Sequence, residues 1–173
     1  MNQTARRQST QSGFTASDDG CFASTSRADN TPTSTTFTNG PAEELAAELH
    51  AIAPMDDARV FFTGSGSESI DTAMKLARIA HVLAGRPERK LIISRVRVYH
   101  GTAYGGTSAQ GIAPNRENFG PFVDEVVQVP ADDVEALASL MAQRSSEIAA
   151  VILEPVLGEG GYIPAPAAFI HGI

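Results

Sequence analysis

The run Thr63, Gly64, Ser65, Gly66, Ser67, Glu68, Ser69 sets two glycines and three serines between a short apolar stretch, Arg59 to Phe62, and a long helical pattern. Residues of these types at a strand-to-helix turn make an anion cradle. Glycines let the backbone turn sharply, with a positive φ where the turn needs one, and bring amide N–H groups close to a ligand. The serines add hydroxyl donors, and the helix behind aims its positive end at the same point. A phosphate group suits such a cradle. Two familiar phosphate motifs are not met, because Ser69 stands where a dinucleotide fingerprint has its third glycine and Ser67 stands where a P-loop has its lysine. An ordinary capped turn with no ligand is the competing reading of this loop taken alone.

Ser65 and Glu68 have the spacing of a capping box, in which the serine caps the amide of the third helical residue and that residue's carboxylate returns to the cap. Beyond it Ile70, Ala73, Met74, Ala77 and Ala80 recur at helical spacing, which predicts a core face opposite a polar face carrying Asp71, Lys75 and Arg78. The helix is expected over 67–84, ending near Gly85.

Two further motifs follow expected strands. Lys90 to Ser94 leads into Val98, Tyr99, His100, Gly101, and Ile148 to Leu153 runs into Glu154, Pro155, Val156, Leu157, Gly158, Glu159, Gly160, Gly161. Each of the three motifs then lies after the carboxyl end of a predicted strand, the edge of an open α/β sheet where ligands bind, so the loops could converge on one site. Each residue also has a plainer reading: Tyr99 as a boundary core residue, His100 as a satisfied structural histidine, Glu154 as a strand-end cap beside a proline, Glu159 as a solvated charge.

In the order and content of these motifs the chain resembles the class III aminotransferases, the ω-type branch of the fold-type-I pyridoxal-phosphate enzymes, over Pro41 to about Phe169. The resemblance implies an α/β fold, part of the large domain of the fold-type-I transferases, with a mostly parallel sheet and flanking helices. It implies pyridoxal 5'-phosphate as cofactor, transfer of an amino group from an amine or amino acid to a keto acid, and a homodimer. By the same resemblance Ser65, Gly66 and Ser67 hold the phosphate, Tyr99 stacks on the cofactor ring, and His100 and Gly101 shape that loop. Glu154 lies near the pyridine edge and Glu159 on the substrate side.

It assigns no catalytic residue within these positions. The family's Schiff-base lysine and the aspartate that keeps the pyridine nitrogen protonated come after the glutamate–proline motif, and the only lysines here, Lys75 and Lys90, read as surface charges. The expectation is the front half of a cofactor domain, truncated at both ends relative to the family pattern and inactive by itself. The alternatives are a non-catalytic phosphate- or pyridoxal-phosphate-binding module, or a nonfunctional remnant of a coding sequence.

Length and composition set outer bounds. The chain has 173 residues, room for one ordinary domain, and its 42% hydrophobic content suits a core, while a net charge of −7 argues against a nucleic-acid surface. Cys21 is the single cysteine, so no internal disulfide forms, and no cluster has metal-ligand spacing. No stretch approaches the length of a membrane span, and Arg6 and Arg7 lack the apolar region an export signal needs, which leaves the cytoplasm as the default. Residues 1–38, rich in Ser and Thr, read as a disordered or non-homologous tail, with 39–173 as the partial cofactor domain.

The positioning elements read as follows. A helix starts at Pro41 and runs to about Ala53; strands are expected at 59–62, 90–94, 125–129 and 148–153. Thr102 to Gly120 is expected to be mostly loop with one short helix. Asp132 or Asp133 caps a helix striped by Val134, Leu137, Leu140 and Met141. With only three or four helices to cover a parallel sheet, exposed apolar surface is expected.

Overall fold

A computed structural model of the chain describes residues 39–55 and 58–173. The expected tail, 1–38, lies outside the described residues. The chain divides into two compact units, residues 1–62 and 63–173.

The described part of the first unit is helix α1, Gly40–Ile52, followed by a bend at 54–55 and, at 58–62, chain without regular structure. Asn39 caps α1 by accepting the Ala42 amide at 3.0 Å, with Pro41 in the first turn where its missing N–H costs nothing. The expected strand at 59–62 does not form. Among the described residues no backbone pairs with these, and a strand exists only as a partner in a ladder.

The second unit opens with α2, Gly66–Leu83, closed by Gly85 at φ 73. Then come β1 (Leu91–Arg95), α3 (Tyr104–Ala109), a 3-10 turn (Ala113–Asn115), β2 (Val126–Val129), α4 (Val134–Arg144), β3 (Ile148–Val151) and α5 (Ala167–Gly172). The 3-10 turn and α5 were not expected: α5 has six residues and no side-chain cap, so only the burial of Phe169 marks it. Asp133, of the two candidates, caps α4, accepting the Ala136 amide at 2.8 Å.

The sheet has the order β2-β1-β3, and β1 pairs in parallel with both neighbours. A central parallel strand must be covered on both faces, and alternation along β1 supplies one set of side chains to each. Leu91 and Ile93 pack with Val129, Leu137, Ile148 and Phe169, under α4 and α5. Ile92 packs on the other side with Met74 of α2 and Ala109 of α3.

The faces of α2 differ from the simple stripe. Met74 is buried and Ile70 packs beside it, but Ala73 is exposed. Two members of the expected polar face turn inward: Asp71 accepts the Gly106 amide at 2.9 Å, and Arg78 donates to the carbonyls of Lys90 and Asp124 at 2.9 and 2.8 Å. Arg78 thereby satisfies carbonyls just before β1 and β2, a use of a cation that sequence periodicity does not reveal. The apolar exposure expected of this chain is present, with Leu83 62% and Phe119 60% accessible.

Candidate functional site

The glycine–serine loop folds as a helix cap. Ser65 has extended dihedrals and its Oγ accepts the Glu68 amide at 3.1 Å. The reciprocal half of the capping box is displaced by one residue, because the Glu68 carboxylate takes the Gly64 amide at 2.9 Å rather than that of Ser65. Thr63 and Ser69 hydroxyls both donate to the Ser65 carbonyl. Among the described residues no acceptor meets the amides of Gly66 and Ser67, the orphan donors every helix start presents.

Gly66 does not serve the turn in the expected way. Its φ is not in the left-handed region, and a Cβ built on it would meet nothing within 4 Å. The left-handed glycine of the site is Gly101, at φ 94, where a Cβ would lie 2.6 Å from Ser67 Oγ and 2.8 Å from Ser67 Cα. Gly101 lets the tyrosine–histidine–glycine loop lie directly on the first turn of α2. Thr102 completes the junction, its amide donating to Ser67 Oγ at 2.9 Å. Ser65 accepts with its oxygen here and keeps its hydroxyl proton for another partner, while the Ser67 hydroxyl lies 3.4 Å from the Thr102 hydroxyl.

The second and third motifs meet through one carboxylate. Glu154 Oε2 accepts the Tyr99 amide at 3.0 Å and Oε1 accepts the Gly158 amide at 3.3 Å. The chain leaving β1 is turned by Arg97 in the left-handed region, φ 67, and tied down by hydrogen bonds from Arg97 to Gly111 and from Gly111 to Val98. Gly160 packs against this turn; a Cβ there would sit 2.6 Å from the Arg97 carbonyl oxygen. Tyr99 is half-buried, whereas His100 is 4% exposed with its Nε2 unpartnered. Burial pushes the His100 imidazole below its usual range and the nearby Glu154 charge only partly opposes this, so the ring stands neutral.

Ser65, Gly66, Ser67, Gly101, Tyr99 and Glu154 are thus joined by a continuous set of contacts, and His100 is buried between Tyr99 and Gly101 in the chain. Glu159 is exposed and makes no hydrogen bond or ion pair among the described residues. Two of the three motifs follow paired strands, β1 and β3; the glycine–serine loop follows the unpaired stretch instead. Sequence reasoning passed over Thr102 and Asp71, which link α2 to the next loop and to α3, because a threonine or aspartate carries no signal until its partner across the fold is known. Thr102 also borders a cavity of about 450 Å³ lined by Tyr104, Thr107, Gln110, Asn115 and Phe119 among others; Ser65, Tyr99 and Glu154 do not line it.

The residues present fit the phosphate of a cofactor. The start of α2 offers two free amides, two serine hydroxyls and open space at the Gly66 Cβ position, in a helix of 18 residues whose dipole favours an anion. Beside it Tyr99 carries an aromatic ring on a loop pinned to the same turn.

A parallel sheet with this cradle at the start of a flanking helix is the frame that the resemblance to the fold-type-I transferases implies. Residues 22–173 match the family model for aminotransferase class-III, and the chain belongs to that family. It is 37% identical over 151 residues to an omega-aminotransferase of Caulobacter vibrioides, an alignment taking in 75% of this chain and 34% of that protein. It is 40% identical over 140 residues to an acetylornithine aminotransferase of Pseudomonas putida, covering 80% of this chain and 33% of that protein. The omega transaminase of Pseudomonas jessenii, solved in complex with PMP, superposes with a TM-score of 0.72 at 30% identity, covering 79% of this chain and 34% of that one. The chain therefore spans about a third of the length of the relatives it matches. Enzymes of this family use pyridoxal 5'-phosphate.

Proposed function

We propose that this chain carries the phosphate- and ring-binding part of a class III aminotransferase: Ser65, Gly66 and Ser67 hold the phosphate of pyridoxal 5'-phosphate, and Tyr99 covers its ring. The observation that supports this most is the start of α2, where unpaired amides, hydroxyl protons and open space at Gly66 coincide and where Thr102 and Gly101 bring the tyrosine loop onto the same turn. When bound, the cofactor supplies the electron sink through which an amino group passes from an amine or amino acid to a keto acid. The residues of this chain hold and orient it. Glu154, with both carboxylate oxygens engaged by amides, acts by fixing the Tyr99 loop, and His100 shapes that loop as a buried residue. Glu159, free in solvent, is the substrate-side candidate.

The 173-residue chain binds without turnover on this reading. Lys75 is exposed on α2, and Lys90 precedes β1 at the end of the strand away from the Tyr99 loop, so neither amine stands at the site. The family's homodimeric assembly and a cytoplasmic setting are part of the same proposal; no helix among the described residues is long and apolar enough to cross a membrane. The non-catalytic module remains the second reading, since the site described here is a binding site.

Equilibrium dialysis of pyridoxal 5'-phosphate tests the assignment. A Val side chain at Gly66 grows into open space, so Gly66→Val folds as the parent does but fills the cradle, and its Kd rises at least about tenfold, the loss of one charge-assisted hydrogen bond. Lys75→Ala binds as the parent does. Binding by Gly66→Val equal to the parent's refutes the site, and turnover of amine donors with pyruvate or 2-oxoglutarate refutes the absence of a catalytic lysine. A cooperative unfolding transition excludes a remnant that does not fold.

A further inference from the structure

None of the three motifs contains Arg95, the last residue of β1. It lies on the same face as Leu91 and Ile93, yet it is a cation and only 1% exposed. All three guanidinium nitrogens are engaged. Nε donates to the Ala131 carbonyl beyond β2, Nη1 donates to the Glu154 carbonyl beyond β3 at 3.2 Å, and Nη2 donates to Asp132 Oδ1 at 2.9 Å. The central carbon stands 4.6 Å from the centroid of the Phe169 ring. One planar fork with five donors reaches two carbonyls and a carboxylate together; an ammonium group, a point charge on a flexible stem, cannot.

Core packing alone does not call for this residue. Asp132 is 48% exposed, so Arg95 is a buried cation with a solvent-facing counter-charge, and an apolar side chain of similar volume often replaces a buried charge at little loss of stability; the cation is better explained by what it holds in place. What it holds is the carboxyl end of all three strands, and on β3 the residue held is Glu154. The Glu154 carbonyl is tied to Arg95 while the Glu154 carboxylate receives the amides of Tyr99 and Gly158.

We infer that Arg95 is a positioning residue. By fixing the backbone of Glu154 it aims that carboxylate at the Tyr99 and Gly158 amides, and so sets the Tyr99 loop against the start of α2. The consequence for cofactor binding rests on the reading given under Proposed function; the positioning itself does not.

Amide hydrogen exchange on the full 173-residue chain tests it, read at Tyr99 and Gly158 with Ile92, whose amide donates to the Glu125 carbonyl within the sheet, as reference. In Arg95→Lys, exchange at Tyr99 and Gly158 accelerates about tenfold while Ile92 changes less than about threefold. The Kd for pyridoxal 5'-phosphate rises, and the Kd for inorganic phosphate, which needs only the α2 cradle, stays at the parent's value. Parental exchange rates at Tyr99 and Gly158, or an equal acceleration at Ile92, overturn the inference. If Arg95→Lys does not fold, Asp132→Asn, which loosens one arm of the fork, decides it: about threefold faster exchange at Tyr99 and Gly158 with Ile92 unchanged supports the role, and no change there overturns it. A parent chain that binds no pyridoxal 5'-phosphate defeats the cofactor reading, while the exchange measurement still decides the role of Arg95.

Discussion

Gly101→Ala is the most informative single substitution, because two independent penalties act at one atom. The φ of 94 is a region that side chains disfavour, at about 1–2 kcal/mol. The added Cβ would also stand 2.6 Å from Ser67 Oγ, 2.8 Å from Ser67 Cα and 3.1 Å from Ser67 Cβ. The hydroxyl could swing aside, but the Cα belongs to the first turn of α2 and moves only with the helix, an overpacking penalty of about 1–3 kcal/mol. Lower unfolded-state entropy for Ala returns about 0.4–1 kcal/mol, so the net loss is about 1–4.5 kcal/mol. At about 4 °C per kcal/mol for a unit of this size, Tm falls by about 4–18 °C. The assay is urea and thermal unfolding followed by far-UV circular dichroism. Gly66→Ala is the control: it has no left-handed φ and an open Cβ position, and should lie within about 0.5 kcal/mol of the parent. Equal stability of the two variants would refute the packing of the Tyr99–Gly101 loop on α2.

Two other outcomes follow from burial. His100 is pushed below its usual pKa by desolvation, so the unfolded chain binds its proton more readily than the folded one. Stability from this group is therefore complete above about pH 6.5 and declines as pH falls below it, at no more than about 1.4 kcal/mol per pH unit. In His100→Gln, chemical denaturation between pH 7.5 and 5 shows a flatter decline; an unchanged profile would deny the burial effect. Leu137, 1% exposed in the cluster under α4, should lose about 2–5 kcal/mol as Leu137→Ala in the same denaturation assay, against less than about 0.5 kcal/mol for Leu83→Ala, whose side chain is 62% exposed. Similar losses for both would contradict the placement of the core.

Much of the frame was legible because its causes are local. The cap at Ser65, the cap at Asp133 and the stripe Val134, Leu137, Leu140, Met141 depend on neighbours three or four residues away, and helices form there. Apolar runs at 91–95, 126–129 and 148–151 mark strands wherever they pair. The stretch 59–62 is also rich in strand-forming residues and does not pair, because such a run leaves the ladder to the fold. The ordered motifs identified the family, since three glycine- and aromatic-bearing loops in one order are a property of the sequence alone.

What tertiary structure decided is how those loops touch. Sequence assigned the turn to Gly64 and Gly66, neither of which has a positive φ, whereas Gly101 is left-handed and its missing Cβ is required by Ser67 lying across from it. Sequence singled out Glu154 but not the partners of its carboxylate, the amides of Tyr99 and Gly158, donors that come within reach only when β1 and β3 lie side by side. Arg95 belongs to none of the motifs that the sequence brings out. Its burial follows from the three strand exits converging on one point, and no pattern along the chain records that convergence, because hydrogen bonds between residues far apart in sequence are set by the packing of the sheet.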